Sequence, residues 1–220
     1  MKKWTALCIL AIGCAFVPLK AEETLDFCSP GVFDSLEAHL ADGAQKDDVF
    51  RLTDAGVIEV NGSHIGYLAT RDCYQNFTLR GEYAFGEEQT NGGLLVRVLK
   101  ETPTFLPRCV EVQVMAGLTG DLFGFHDLTI QGSAERFITG KDHAMVGNYC
   151  QVEALRKNER TEIGQWNTIE VTCYDDWILV RVNGQIVNWA YNVTNESAPV
   201  AIQSEDAPIF WRNLKLTTEP

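Results

Sequence analysis

Cys109-Val110-Glu111-Val112-Gln113-Val114-Met115 is the stretch on which the reading of the fold turns. Successive side chains of a strand point to opposite faces, so Val110, Val112 and Val114 share one face while Glu111, Gln113 and Met115 share the other. The valine face reads as core. The opposite face carries a carboxylate and an amide two residues apart, which is how a sheet presents polar groups to a ligand lying across it. A polar face that simply meets water is the plain alternative.

Outward from this strand the chain is a succession of short β segments punctuated by turn residues. Val49–Leu52 and Gly56–Val60 flank an Asp54-Ala55 turn, and Phe77–Ala84 and Leu94–Leu99 precede the valine strand. Residues 116–165 are richer in glycine and charge and read as long loops, with one strand candidate at Asp127–Ile130. Regular strands return at Asn167–Cys173, Trp177–Val182, Gln185–Trp189, Pro199–Gln203 and Ile209–Leu216. Asn183-Gly184 is the strongest hairpin signal, because both central residues of a type I′ turn need positive φ. Asp34–Ala41 is the short helix candidate. The pattern predicts an all-β domain of two packed antiparallel sheets, without repeats or a linker to a second domain.

The first residues have a different character. Lys2 and Lys3, an apolar run from Trp4 to Leu19, and Lys20-Ala21 have the layout of a secretory signal peptide, too short to span a bilayer. This divides the chain into a signal, 1–21, and a single domain, 22–220, exported to the periplasm or beyond the cell. Ala11-Ile12-Gly13-Cys14 resembles a lipobox, making lipid anchoring the lesser reading. The formal net charge of −12 becomes more negative once the signal lysines leave. Such acidity disfavours nucleic acid and anionic membrane and is compatible with a neutral ligand such as a sugar. Cys28, Cys73, Cys109, Cys150 and Cys173 remain. In an oxidising compartment one or two stabilising disulfides are expected; being odd in number, the five leave at least one thiol unpaired, and none of their spacings suits zinc.

The ordered motifs resemble the 3-keto-disaccharide hydrolase family. Phe33-Asp34-Ser35-Leu36 is similar to its opening F-D-G-x-x-L, and Asp54-Ala55-Gly56-Val57-Ile58 to its D-G-V-I turn. Gly66-Tyr67-Leu68-Ala69-Thr70 and Tyr74-Gln75-Asn76-Phe77 resemble G-x-L-x-T and Y-x-D-F. Asn91-Gly92-Gly93-Leu94-Leu95-Val96-Arg97 resembles N-S-G-I-x-x-R, and Glu111-Val112-Gln113 matches E-x-Q. Trp166-Asn167, Asn183-Gly184, Ile202-Gln203 and Phe210-Trp211-Arg212-Asn213 follow in family order. The resemblance covers about residues 31–216 and implies a concanavalin A-like jelly-roll sandwich. Two segments depart from it. Thr119-Gly120-Asp121-Leu122-Phe123 ends in phenylalanine where the family usually has tyrosine, and Ser204-Glu205-Asp206 replaces the His-Gly that commonly follows L-Q.

The resemblance implies a small carbohydrate substrate, a 3-keto glycoside. Its C3 ketone acidifies the C2 proton, so one base can remove it and the C1 substituent can leave by elimination. Glu111 is the candidate base, or a ligand should the site take a divalent metal; no cofactor is otherwise specified. His126, in a Gly124-Phe125-His126-Asp127 loop, is a candidate acid/base, although lone loop histidines are commonly structural. Arg97 would bind a sugar oxygen or the enolate, Asn91, Gln113 and Gln203 would orient hydroxyls, and Glu205 would stand in for the missing histidine. An ordinary retaining glucanase needs two carboxyl groups about 5–5.5 Å apart, so it would require Glu205 or Asp121 as partner to Glu111. Competing readings are a non-catalytic carbohydrate-binding module and a structural surface module. Strand tryptophans serve mainly as core, but an exposed row of them would favour binding alone.

Overall fold

The computed structural model describes residues 22–88, 90–100, 102, 104–155 and 162–219; the segment 1–21, expected to be a signal peptide, lies outside them. The strands, in chain order, begin with β1 (Thr24–Asp26), β2 (Glu37–Leu40), β3 (Phe50–Leu52), β4 (Val57–Val60) and β5 (Gly66–Ala69). Then come β6 (Phe77–Phe85), β7 (Gly93–Lys100), β8 (Arg108–Gln113), β9 (Leu122–Gly124), β10 (Phe137–His143) and β11 (Gly147–Val152). The series ends with β12 (Asn167–Tyr174), β13 (Trp177–Val182), β14 (Gln185–Ala190), β15 (Ala201–Ser204) and β16 (Ile209–Thr218). Two short helices, α1 (Pro30–Ser35) and α2 (Lys46–Val49), lie near the start.

Two antiparallel sheets make the sandwich. One runs β14-β13-β12-β6-β16-β4-β3, with β1 added on β16. The other runs β10-β11-β9-β8-β7-β15-β5-β2. The alternation in β8 sets which face is which. Val110 and Val112, and Val114 just beyond the strand, are fully buried in the core between the sheets. Burying a valine side chain contributes about 1.5–3 kcal/mol, so reversing this register would be costly. Facing them across the core are Leu79, Tyr83 and Phe85 of β6 and Trp211 of β16, with the Tyr83 and Trp211 rings 5.8 Å apart. Asn183 and Gly184, at φ 50° and 76°, turn β13 into β14 as a type I′ hairpin requires.

A second, smaller apolar cluster lies on the outer face of the β8 sheet. Tyr67, Leu95, Cys109 and Ala201 project from the strands, and Leu106, Phe125 and Val146 cover them from loops. This cover converts an outer sheet face, normally open to water, into the wall of a cavity.

The structure corrects several sequence expectations. Asp34–Ala41 is not a helix: α1 stops at Ser35, and Glu37–Leu40 pairs with β5. Pro30 inside the first turn, with its φ already set for a helix, explains the earlier start. Asp127–Ile130 forms no strand, whereas β9, β10 and β11 occupy the stretch read as loops. β10 lacks the expected alternation because it is an edge strand, with almost every residue exposed.

All five cysteines of the described residues are free thiols, with Cys73 exposed and Cys109, Cys150 and Cys173 buried. Protein beginning at residue 22 should titrate five thiols in denaturant without reductant. In the native state Cys73 should react first and the buried three should stay silent; fewer thiols in denaturant would reveal a bridge.

Candidate functional site

The polar half of the β8 pattern opens onto a cavity of about 270 Å3. Glu111 and Gln113 come from β8, Asn91 from the loop entering β7, Gln203 from β15, and Glu205 from the residue just past it. The ladder puts Leu95 and Phe123 on either side of Glu111 and Gly93 beside Gln113. Phe123, Phe125, Met145, Tyr149 and Val146 form the opposing wall, with His143 at its edge. A larger hollow of about 640 Å3 lies beside Phe33 and Phe50, but its acidic residues Asp34, Asp47 and Asp54 are all exposed. Of these two hollows it is the Glu111 cavity that buried polar groups line, and such convergence marks a site better than size does.

Gly93 makes the floor possible. A β-carbon there would sit 2.9 Å from both Gln203 Oε1 and Glu111 Oε1, so the missing side chain is what lets the amide and the carboxyl meet. Gln203 Nε2 donates to Glu205 Oε2 at 2.9 Å, and its side chain also reaches Glu111. Gln113 lies between Asn91, at 2.6 Å, and the two Glu111 oxygens, at 3.0 and 3.2 Å. Asn91 in turn donates to Glu205. Two carboxyls and three amides therefore form one continuous network.

Glu111 is only 4% exposed. Burial, and then the nearby Glu205, pushes its carboxyl well above the ordinary carboxylate range, against a smaller lowering by Gln203. Burial and the neighbouring Asp206 raise Glu205, with Asn91 working the other way. Among the described residues no ion pair involves either carboxyl.

Two sequence candidates lie elsewhere. Simple alternation from Leu95 would put Arg97 on the Glu111 face. Instead the β7–β8 register shifts after Val96, and Arg97 takes φ 54°. That bulge turns its guanidinium away, to donate to the carbonyls of Gln75 at 2.6 Å, Asp175 at 3.2 Å, Tyr74 at 3.3 Å and Glu196 at 3.4 Å. Arg97 is a structural clasp, outside the cavity. His126 is likewise absent from the lining. It follows β9 at φ 53°, and its Nε2 meets Leu106 O at 3.1 Å and Thr104 Oγ1 at 3.2 Å, holding the loop that delivers Leu106. Asp121 accepts from Gln151 and from the Ala154 backbone, so it is no partner to Glu111.

His143 and Tyr149 are what the sequence reading missed. They sit on β10 and β11, in the stretch taken for loops, and their rings stand edge to face 6.1 Å apart. Tyr149 lies 6.2 Å from Phe123, bringing a phenol to the neighbourhood where Phe123 has none. No linear spacing joins these residues to Glu111.

The residues do not make a metal centre. Among those described, no group of three or more His, Cys, Asp or Glu converges. Amide hydrogens from Gln203 and Asn91 also face Glu205, where a cation would need oxygens. None of the four strand or near-strand tryptophans lines the cavity: Trp211 is in the core, Trp166 lies under Arg212, Trp189 under Arg136, and Trp177 stacks outside on Tyr191.

Comparison with known proteins bears on this arrangement. The family model for the 3-keto-alpha-glucoside-1,2-lyase-like domain matches residues 33–217. No curated protein matches the sequence. Among solved structures, a presumed glycosyl hydrolase of Parabacteroides distasonis ATCC 8503 superposes with a TM-score of 0.61 at 18% identity, covering 90% of this chain and 100% of that one. The carbohydrate-binding module CBM66 of Bacillus subtilis gives 0.57 at 11% identity, covering 82% and 94%. The β-glucanase of Bacillus licheniformis gives 0.56 at 10%, covering 92% and 100%. At these identities the likeness is one of fold, a jelly-roll sandwich shared by catalysts and binding modules.

The raised Glu111 carboxyl has a consequence for stability. The folded state holds its proton more tightly than the unfolded chain, so stability falls as pH rises from the ordinary value of 4.5 toward the raised one. Glu111→Gln removes that loss. Its midpoint should match wild type at acid pH and exceed it increasingly as pH rises; a thermal-melt series in which wild type is the more stable at alkaline pH would contradict this.

Proposed function

The chain belongs to the 3-keto-alpha-glucoside-1,2-lyase-like family, and from that premise we propose that it cleaves 3-keto glycosides by removing the C2 proton and expelling the C1 substituent. One observation carries the reading: a buried carboxyl, Glu111, and a half-buried one, Glu205, uncompensated by any cation among the described residues, share a small cavity on this fold. Elimination needs one group to take a proton and another to give one. A pair of carboxyls whose environment favours the neutral form can hold one of each at neutral pH.

The cavity is suited to one sugar ring. Amide groups of Asn91, Gln113 and Gln203 line its polar side, and the His143 ring and the Tyr149 hydroxyl stand at the other, where they can donate to the enolate oxygen at C3. The apolar wall lowers the local dielectric and strengthens these contacts. The alternative, a carbohydrate-binding module without catalysis, would draw on exposed tryptophans, and none lines this cavity. The presence of Glu205 also supplies the second carboxyl that an ordinary glycosidase would require, so unoxidised glycosides belong in the test.

Purified protein should release aglycone from 3-keto-glucosides and leave the parent glucosides intact. The Glu111→Gln, Glu205→Gln double variant should be inactive on both. Cleavage of the parent glucosides would instead favour the ordinary glycosidase, and binding without cleavage the module.

Gly93 offers a separate check. An alanine there meets side-chain atoms and no backbone, Gln203 Oε1 and Glu111 Oε1 at 2.9 Å and Glu111 Cγ at 3.0 Å, so G93A should still fold while shifting both side chains. Displacing those groups should nevertheless cost about 10²-fold in kcat/KM, the scale of a 1 Å misplacement. Wild-type turnover by G93A would show that the floor geometry does not matter.

A further inference from the structure

We propose a second ligand site on the sheet opposite the Glu111 cavity: a row of aromatic rings, Tyr174, Trp177 and Tyr191, that binds a neutral oligosaccharide. The site shares no residue with the cavity and does not depend on the reaction assigned there.

Alternation fixes where these rings point. Cys173 and Ile178 lie in the core, so Tyr174 and Trp177, beside them in β12 and β13, project from the outer face. Tyr191 follows the buried Ala190 of β14 and projects the same way. Tyr174 stands opposite Trp177 in the ladder, and the Trp177 and Tyr191 rings lie 5.6 Å apart. The three side chains therefore cross three neighbouring strands in one line. With strands about 4.8 Å apart, that line is roughly 10 Å long.

Exposure sets the row apart. Trp177 is 52% exposed and Tyr174 49%, with Tyr191 half-buried beside them. The other described tryptophans are covered: Trp211 is in the core, and arginines lie over Trp166 and Trp189 at 4.0 and 4.9 Å. A hairpin gains from a cross-strand aromatic pair next to its turn, which accounts for Tyr174 and Trp177. It does not account for Tyr191 joining them from a third strand, nor for an indole left open to water.

Size, charge and polarity together select the occupant. A stable protein interface covers about 800 Å2 on each partner, far more than three ring faces offer. The aromatic surface also ends quickly: the next line across the same face is Thr172, Leu179 and the covered Trp189, and beyond it stands the Glu170–Arg181 ion pair at 2.7 Å. Asp175 and Asp176 form the turn between Tyr174 and Trp177, and the chain carries a net charge of −12, so polyanions are repelled. The ligand that fits is neutral, apolar on its faces and polar at its edges. A pyranose has this form, with C–H bonds on its faces and hydroxyls around its rim. Partners for those hydroxyls adjoin the row. Asp176 and Asn192, the chain neighbours of Trp177 and Tyr191, line a hollow together with Thr194 and Asn195. Tyrosine and tryptophan lose little conformational freedom on contact, which suits them to a preformed platform. A line of three rings takes two or three linked sugars rather than one.

Glu111 and the row stand on the outer faces of different sheets, back to back. A glycan held on the row leaves the cavity open, so the row would tether the protein to a glycan surface while the other side works on small glycosides.

NMR of 15N-labelled protein tests the proposal through the indole N–H of Trp177, assigned with W177F. The protein is titrated with cellohexaose, maltohexaose and laminarihexaose, with glucose as the single-sugar control. At least one hexaose should move the Trp177 signal to saturation, while glucose moves it far less. W177A should weaken that binding at least ~10-fold, the scale of an aromatic anchor, and Y174A and Y191A should each weaken it too. Trp177 and Tyr174 are exposed, so these variants should melt near wild type; should W177A fail to fold, Y174A carries the test. The proposal is overturned if no hexaose moves the signal, or if W177A and Y174A bind as wild type does. It is also overturned if the signal moves with protein concentration alone, which would place a second copy of the chain on the row. Cleavage of 3-keto glycosides enters none of these readouts, so the two readings fail separately.

Discussion

Glu111 is a carboxyl taken out of water with no cation among the described residues brought to meet it, and the organisation of this end of the molecule follows from that constraint. A carboxylate isolated in an apolar setting is far too costly to persist, so such a group is neutralised by a proton or solvated by hydrogen bonds. The chain does this with amides. Gln113, Asn91 and Gln203 link Glu111 to the less buried Glu205, which also lines the cavity. Lysine or arginine at any of these positions would favour ionisation of both carboxyls and remove the distinction between them.

The same strand that positions Glu111 also holds the sandwich together. Alternation in β8 sends the valines into the core and Glu111 and Gln113 out, so the site inherits the rigidity of the sheet beneath it. Catalytic groups on strands are placed more tightly than groups on loops. Here the loops contribute the wall: Leu106, Phe125 and Val146 close over the sheet and exclude water from a face that an antiparallel sheet would ordinarily leave wet.

The valine strand, the Asn183-Gly184 hairpin and the order of strands after residue 165 were legible because periodicity and turn chemistry are local. Glu111, Gln113, Gln203, Asn91 and Glu205 were also legible as candidates, four from alternation or motif position and Glu205 from its place after Gln203; the structure brings all five to one cavity. Arg97 was misread for a physical reason. A single residue at positive φ reverses alternation, and arginine carries no local signal for that conformation as glycine or asparagine would. His126 looked chemical because of its type, yet its partners come from a loop some twenty residues earlier. His143 was hidden on an exposed edge strand with no buried face to impose a pattern, and Tyr149 on its partner, where only Cys150 and Val152 are buried.

Arg97 deserves a different accounting from the one its type suggests. Its guanidinium is satisfied by carbonyls 22, 23, 78 and 99 positions away along the chain, drawn from three separate segments. No partial assembly can supply them all, because each segment must first pay its own loop-closure entropy. The clasp therefore belongs to the final stage of assembly, and interactions absent from the folding transition state act chiefly on the rate of opening. Its contribution is to the lifetime of the folded molecule, the half-life against unfolding rather than the equilibrium alone.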